Sequence, residues 1–299
     1  VTDPLAPGGA EWSKIITPSK IAAIVTDDDG RSFSRYESAY RLWHRMKGLI
    51  DPEPPKDIFT VGHAFEPALA YLWCEANPGW QLSPGEVRVQ RDDLGFPCLA
   101  TIDRRARSGK ARRIVEFKTS RKLEEWGDDF TDEAPFDYVI QVQAQMHITG
   151  FTQRPAHLMV MGPYFKHHIY EIEYNPGLCA VIFDRCRQFW DSLESFTVPD
   201  LDDSKYTYEC VRELHPDIDG TEVELTPELS REYLQIDAEY KALEKRHRGV
   251  KTRVLDRMGN AQTALCNGEK VATRSPHSRG GVALKPNSKT DPTTLGVAA

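Results

Sequence analysis

Between residues 61 and 77 the apolar side chains fall at 61, 64, 65, 68, 69, 72, 73 and 76, which is the spacing of one helical face. Pro67 is tolerated in a first turn, so a regular helix is expected from about Ala64. Helical patterns also cover 17–25, opening at Thr17 or Ser19 with Pro18 in its first turn, and 34–48, capped near Ser34 and ended by Gly48. Two more run over 136–150, ending in glycine, and 176–196, with proline in the first turn. Between them lie short strand-like runs at 85–90, 98–105, 112–119, 156–162 and 166–174. The turn signal in "ARSGKA" joins the second and third of these as an antiparallel hairpin.

That order predicts an α/β (α+β) domain with a mixed central sheet flanked by helices, covering 13–198. Residues 1–12 are expected to be a flexible start. Beyond 198 the composition shifts. Residues 199–275 read as a helical extension, with one long polar helix over 226–258, or two broken near Gly249, and a small strand pair in "GEKVATRS". Residues 276–299, rich in Gly, Pro, Ser and Thr, are expected to be a disordered tail.

Composition narrows the class. The chain has 299 residues, 40% hydrophobic and 28% charged, as in an ordinary water-soluble protein. No apolar run approaches the roughly 20 residues of a membrane span. The opening "VTDPLAPGGAEW" has neither the basic start nor the apolar core of a secretion signal. Six scattered cysteines form no C-x-x-C pair, which points to a reducing, cytoplasmic setting without a zinc ribbon or disulfide framework.

The net charge of −7 argues mildly against nucleic acid as a partner, but it hides a pattern. From 104 to 122 there are nine basic residues and one acid, Glu116. A second basic stretch covers 241–257. Such runs suit either a solvated surface or a grip on a phosphate backbone.

Within the basic run, "VEFKTS" places Glu116 and Lys118 two positions apart in an apolar strand, so they share a face. Asp103 closes the preceding strand, and hairpin pairing can bring it to Glu116. One reading is a surface ion pair. The other is an all-oxygen metal site, completed by a backbone carbonyl such as that of Phe117, of the kind Mg²⁺ accepts. Lys118 would then sit beside a metal-activated water and the charge developing on phosphorus. Glu66 lies at the margin of the apolar face of the 61–77 helix, where it could support a metal or simply favour the helix dipole. Gln141 and Gln145 are one turn apart on a face otherwise made of Val139, Val142 and Met146, and they ask for a polar partner.

The series "VGHAFEP", "ATIDRR", "VEFKTS" and "YVIQVQAQMHITG" resembles the PD-(D/E)XK nuclease superfamily, and within it the phage lambda-type exonucleases, or YqaJ-like viral recombinases. The opening "WSKIITPSKIAAIV" resembles that family's start, and the likeness covers roughly 12–196. The resemblance implies that Asp103, Glu116 and Glu66 bind metal together with the carbonyl of Phe117. It implies that Lys118 is the active-site lysine and Gln141 the glutamine of the motif that follows. Ser19 and Lys14 fall where the family holds the 5′-phosphate, and Arg104, Arg105 and Arg121 are expected on the DNA backbone. Ile102 stands where the superfamily name has proline, and "TDDDGRSF" inserts acids near the presumed phosphate end. The cysteines do not match the iron–sulfur pattern of some related nucleases, so no cluster is expected.

The expected activity is Mg²⁺-dependent exonuclease action on linear duplex DNA, 5′ to 3′, with Mn²⁺ as a substitute. The resemblance also implies a ring-shaped homotrimer and a single-strand annealing protein as partner, and no membrane. Two alternatives stay open: an endonuclease or single-strand-specific relative, and a non-catalytic scaffold that binds DNA ends.

Overall fold

The computed structural model describes residues 4–5, 9–54, 57–277 and 280–296. The chain divides into two compact units, Val1–Ile218 and Asp219–Ala299. The first contains helices α1 (Ala10–Ser13), α2 (Pro18–Ile24), α3 (Ala39–Met46) and α4 (Asp57–Ala76). Strands β1 (Gln81–Leu82), β2 (Val87–Arg91), β3 (Cys98–Ile102), β4 (Arg104–Ser108) and β5 (Ala111–Thr119) follow. Then come α5 (Phe136–Thr149), β6 (Ala156–Met161), β7 (His167–Ile172), α6 (Pro176–Glu194) and α7 (Lys205–Leu214).

Five strands form a mixed sheet in the order β1-β4-β5-β6-β7, with β5 and β6 parallel and the other neighbours antiparallel. Strands β2 and β3 pair separately. The strand expected over 98–105 is therefore two strands, which part company at Asp103. The β4–β5 register, with Arg104 opposite Val115, would set Asp103 opposite Glu116 if it continued. The ladder stops short of that pair of like charges, and the N–H of Phe117 instead donates to Asp103 Oδ2 at 2.7 Å.

The pleat of β5 divides the core. Val115 and Phe117 face α4, where they pack with Leu69, Trp73 and Met159. Trp73 Nε1 donates to His157 Nδ1 at 3.0 Å and ties α4 to β6. Ile114 packs on the other face with Val142 and Met146 of α5. A third cluster joins α2, α3 and α6 to the back of α5 through Ile21, Trp43, Ile182 and Ile140. Helix α5 is thus buried along most of its length and ends at Gly150, whose φ of 72° is the left-handed cap glycine permits.

Several boundaries differ from the sequence reading. Helix α3 starts at Ala39 because Ser38 Oγ, not that of Ser34, accepts a helical N–H, from Arg41 at 3.2 Å. Helix α4 starts at Asp57, and Pro67 sits inside it. Pro67 and His63 are both exposed, so the carbonyl that loses its intrahelical donor faces solvent. The N-terminal segment is partly ordered: α1 occupies Ala10–Ser13, and Lys20 Nζ donates to the carbonyls of Trp12, Ser13 and Ile15. Residues 1–3 and 6–8 of the flexible start lie outside the described residues.

The first unit does not end at 198. Helix α7 docks on α3 through Thr207 Oγ1, which donates to the buried Ser38 Oγ at 2.8 Å, and through Arg41, which pairs with Glu209 and Glu213.

In the second unit, α8 (Pro227–Met258) runs unbroken through Gly249. Strands β8 (Thr263–Cys266), β9 (Glu269–Pro276) and β10 (Val282–Pro286) make an antiparallel sheet in the order β10-β9-β8. The tail expected to be disordered from 276 therefore holds a strand. Its glycines form the turn, with Gly280 and Gly281 at φ of 84° and 79°, and Asn287 Nδ2 and Thr290 Oγ1 both donate to the Lys270 carbonyl. Residues 278–279 and 297–299 lie outside the described residues. Among the described residues no helix is long and apolar enough to cross a membrane.

Candidate active site

Glu116 is 3% exposed, on the face of β5 that meets α5. A buried carboxylate is tolerable only if its oxygens are well supplied with donors. Lys118 Nζ and Gln141 Nε2 donate to Oε1 at 2.7 and 2.6 Å, and Gln145 Nε2 donates to Oε2 at 2.8 Å. The two-residue period of the strand sets Glu116 beside Lys118, and the four-residue period of the helix sets Gln141 above Gln145. Gln145 is fully buried and its Nε2 also reaches the Thr101 carbonyl at 3.3 Å. That contact joins the small sheet to the large one next to Asp103.

Asp103 sits at the junction of β3 and β4. Burial first, and then the negative charge of Glu116, hold its carboxyl well above the usual aspartate range, with Glu66 adding to the effect. Lys118 and the Phe117 N–H oppose the rise. For Lys118, burial would lower the pKa, but the charges of Glu116 and Asp103 outweigh it and hold the ammonium above its ordinary value. Lys118 is therefore a fixed positive charge at neutral pH.

Two carboxylates that repel one another, Glu116 buried and Asp103 half-buried, fit a divalent cation, which removes the repulsion. The donors are oxygens, and one or two protein carboxylates are what Mg²⁺ uses. Asp103 and Glu116 are the residues that would hold it. Among the described residues no three His, Cys, Asp or Glu side chains converge as a metal-holding group. Glu66 stands apart: its Oε1 is 2.9 Å from His63 Nδ1, and its Oε2 is 3.7 Å from Arg104 Nη1.

The residues expected on DNA are placed unequally. Ser19 and Lys14 are exposed near the start of α2, and Ser19 Oγ lies 3.1 Å from Thr17 Oγ1. Arg105 and Arg121 are exposed. Arg104 is buried, and its guanidinium donates to the Asp103 carbonyl at 2.6 Å, so it braces the site from within. Tyr138 was not singled out by sequence. Its ring lies 5.3 Å from Lys118 Nζ and 5.1 Å from the Arg35 guanidinium, which pairs with Asp137 at 3.0 Å. Tyr138 precedes Gln141 by three residues, so the helical period carried the signal.

Residues 11–152, a span that includes every residue of this cluster, match the family model of the YqaJ-like viral recombinase domain. The chain is 24% identical over 237 residues to the uncharacterized protein YqaJ of Bacillus subtilis (strain 168), covering 77% of this chain and 72% of that one. Among solved structures it is similar to LHK-Exo in complex with dAMP, with 19% identity, a TM-score of 0.47, and coverage of 62% of this chain and 91% of the other. It is also similar to a phage-related exonuclease from Haemophilus somnus 129PT, with 14% identity, a TM-score of 0.44, and coverage of 61% and 96%.

Proposed function

We propose that the chain is a Mg²⁺-dependent exonuclease that digests linear duplex DNA from its 5′ ends in phage-type recombination. The observation that carries this reading is the buried Glu116, gripped by Lys118, Gln141 and Gln145, with a second, half-buried carboxylate, Asp103, across the hairpin. The match to the recombinase domain over the same residues supports it.

A divalent ion held there by Asp103 and Glu116, with the Phe117 carbonyl, would polarise a phosphoryl oxygen and acidify a water. Lys118, held charged, positions that water and offsets the charge that develops on the phosphate in the transition state. Gln141 and Gln145 hold Glu116 in one orientation, and Arg104 braces the backbone at Asp103. Ser19, Lys14, Arg105 and Arg121 contact phosphates without reading bases. Mn²⁺ substitutes for Mg²⁺, since the ligands are all oxygen. A cytoplasmic location, a homo-oligomer and a single-strand annealing partner belong to the same proposal.

The test is incubation with 5′-labelled linear duplex and with closed circular duplex, each with Mg²⁺ or chelator. Metal-dependent loss of the linear form alone, with mononucleotides released, is expected, and Glu116→Ala should end it. Nicking of the circle would instead make the protein an endonuclease. Binding without any cleavage would make it a scaffold.

A further inference from the structure

Helix α8 carries a feature that the catalytic reading does not use. Leu229, Tyr233, Ile236, Tyr240, Leu243, His247, Val250 and Val254 succeed one another at alternating steps of four and three residues. That is the a/d seam of a coiled coil, sustained for almost four heptads. The seam is bare over most of its length. Tyr233 is 67% exposed, Ile236 57%, Tyr240 66% and Leu243 62%. Toward the end of the helix Val254 is half-buried, and Met258, just off the seam, is buried. A single helix of 32 residues with a long exposed stripe, apolar at every position but His247, lacks the partner that its pattern specifies.

The charges beside the seam identify that partner. The flanking g positions are Glu232, Glu239, Arg246 and Arg253, and the e positions are Ser230, Asp237, Glu244 and Lys251. In a parallel pair each g residue faces the e residue five positions on in the partner. Glu232 would then meet Asp237, Glu239 would meet Glu244, and Arg246 would meet Lys251, so every facing pair repels. In an antiparallel pair the seam closes with Tyr233 on Val250, Ile236 on His247, Tyr240 on Leu243 and Leu229 on Val254. Glu232 then faces Arg253, and Glu239 faces Arg246. The one unfavourable contact, Asp237 with Glu244, is eased within each helix, since Asp237 already pairs with Lys241 at 2.6 Å and Glu244 lies 3.7 Å from Arg248.

We propose that α8 is an antiparallel coiled-coil arm through which two copies of this chain associate. The sequence is complementary to itself reversed and repulsive to itself in parallel, which is how partner and orientation are selected together.

Sedimentation equilibrium of the full-length protein tests this. The wild-type particle should fall to half its mass in Leu243→Glu, whose side chain is exposed in one copy and so does not threaten its fold. Glu239→Arg should weaken the association at least tenfold, and Glu239→Arg with Arg246→Glu should restore it. Tighter association in Glu239→Arg would mean a parallel pair and overturn the orientation. A wild-type mass unchanged by Leu243→Glu would overturn the arm itself. Neither outcome bears on DNA cleavage, so the two proposals fail separately.

Discussion

At the scale of the residue, the buried Glu116 and the half-buried Asp103 are acids handled in opposite ways. Removing a carboxylate from water costs several kcal/mol unless donors replace the hydration. Glu116 has three donors on its two oxygens. Asp103 has one backbone N–H on Oδ2, which is too little to offset its desolvation and the neighbouring Glu116 charge, and these two push its carboxyl above the ordinary range. A folded-state pKa above the unfolded value means that the native state holds the proton more tightly. Its stabilisation is complete below the unfolded value, about 4, and is lost as pH rises through the folded value. Relative to Asp103→Asn, the metal-free protein should therefore lose melting temperature as pH is raised from about 4. Added Mg²⁺ should cancel the loss, while the Asp103→Asn variant loses cleavage at least about a hundredfold. Calorimetry across pH, with and without Mg²⁺, checks this. The same pH dependence in the metal-free wild type and in Asp103→Asn would contradict the placement of Asp103.

At the scale of the element, the central strand and helix were legible because each has one strong period. The pair of Glu116 and Lys118 on β5, and of Gln141 and Gln145 on α5, follows from periods of two and four within single elements. Boundaries were less legible, because two serines compete for one cap and proline can sit on an exposed face inside a helix. Helix α8 shows the limit of breaker residues. Gly249 was a possible break, yet its neighbours on both sides favour helix and carry it through. A Cβ at Gly249 meets nothing within 4 Å. Gly249→Ala should therefore stabilise the protein by roughly 0.5–1 kcal/mol, readable as a higher denaturant midpoint for the loss of helical circular dichroism. A lower midpoint would mean that the helix bends there in solution.

At the scale of the whole molecule, the boundary of the first unit carries the consequence. Composition placed it near 198, but α7 closes over the start of α3 through Thr207 and Arg41, and over the segment before it through Tyr206, whose hydroxyl donates to the Arg35 carbonyl. Ser38, which caps α3, has its hydroxyl satisfied by α7 and is fully buried. A chain ended at 198 should melt lower than one ended at 218, because the cut uncovers Ser38 and takes Glu209 and Glu213 from the half-buried Arg41. Thermal unfolding of the two truncations distinguishes them, and equal melting temperatures would show that α7 adds nothing to the unit.

The sequence by itself determined which residues share a face: Glu116 with Lys118, Gln141 with Gln145 and Tyr138, and the seam of α8. Those relations lie within one element, where backbone geometry alone sets the spacing. Only the tertiary structure decided that β3 and β4 separate at Asp103, that both glutamines close on Glu116, that Arg104 turns inward, and that α7 belongs to the first unit. Each of these joins groups distant along the chain. Buried charge and unpaired hydrogen-bonding groups select them, and neither exists until the core has formed.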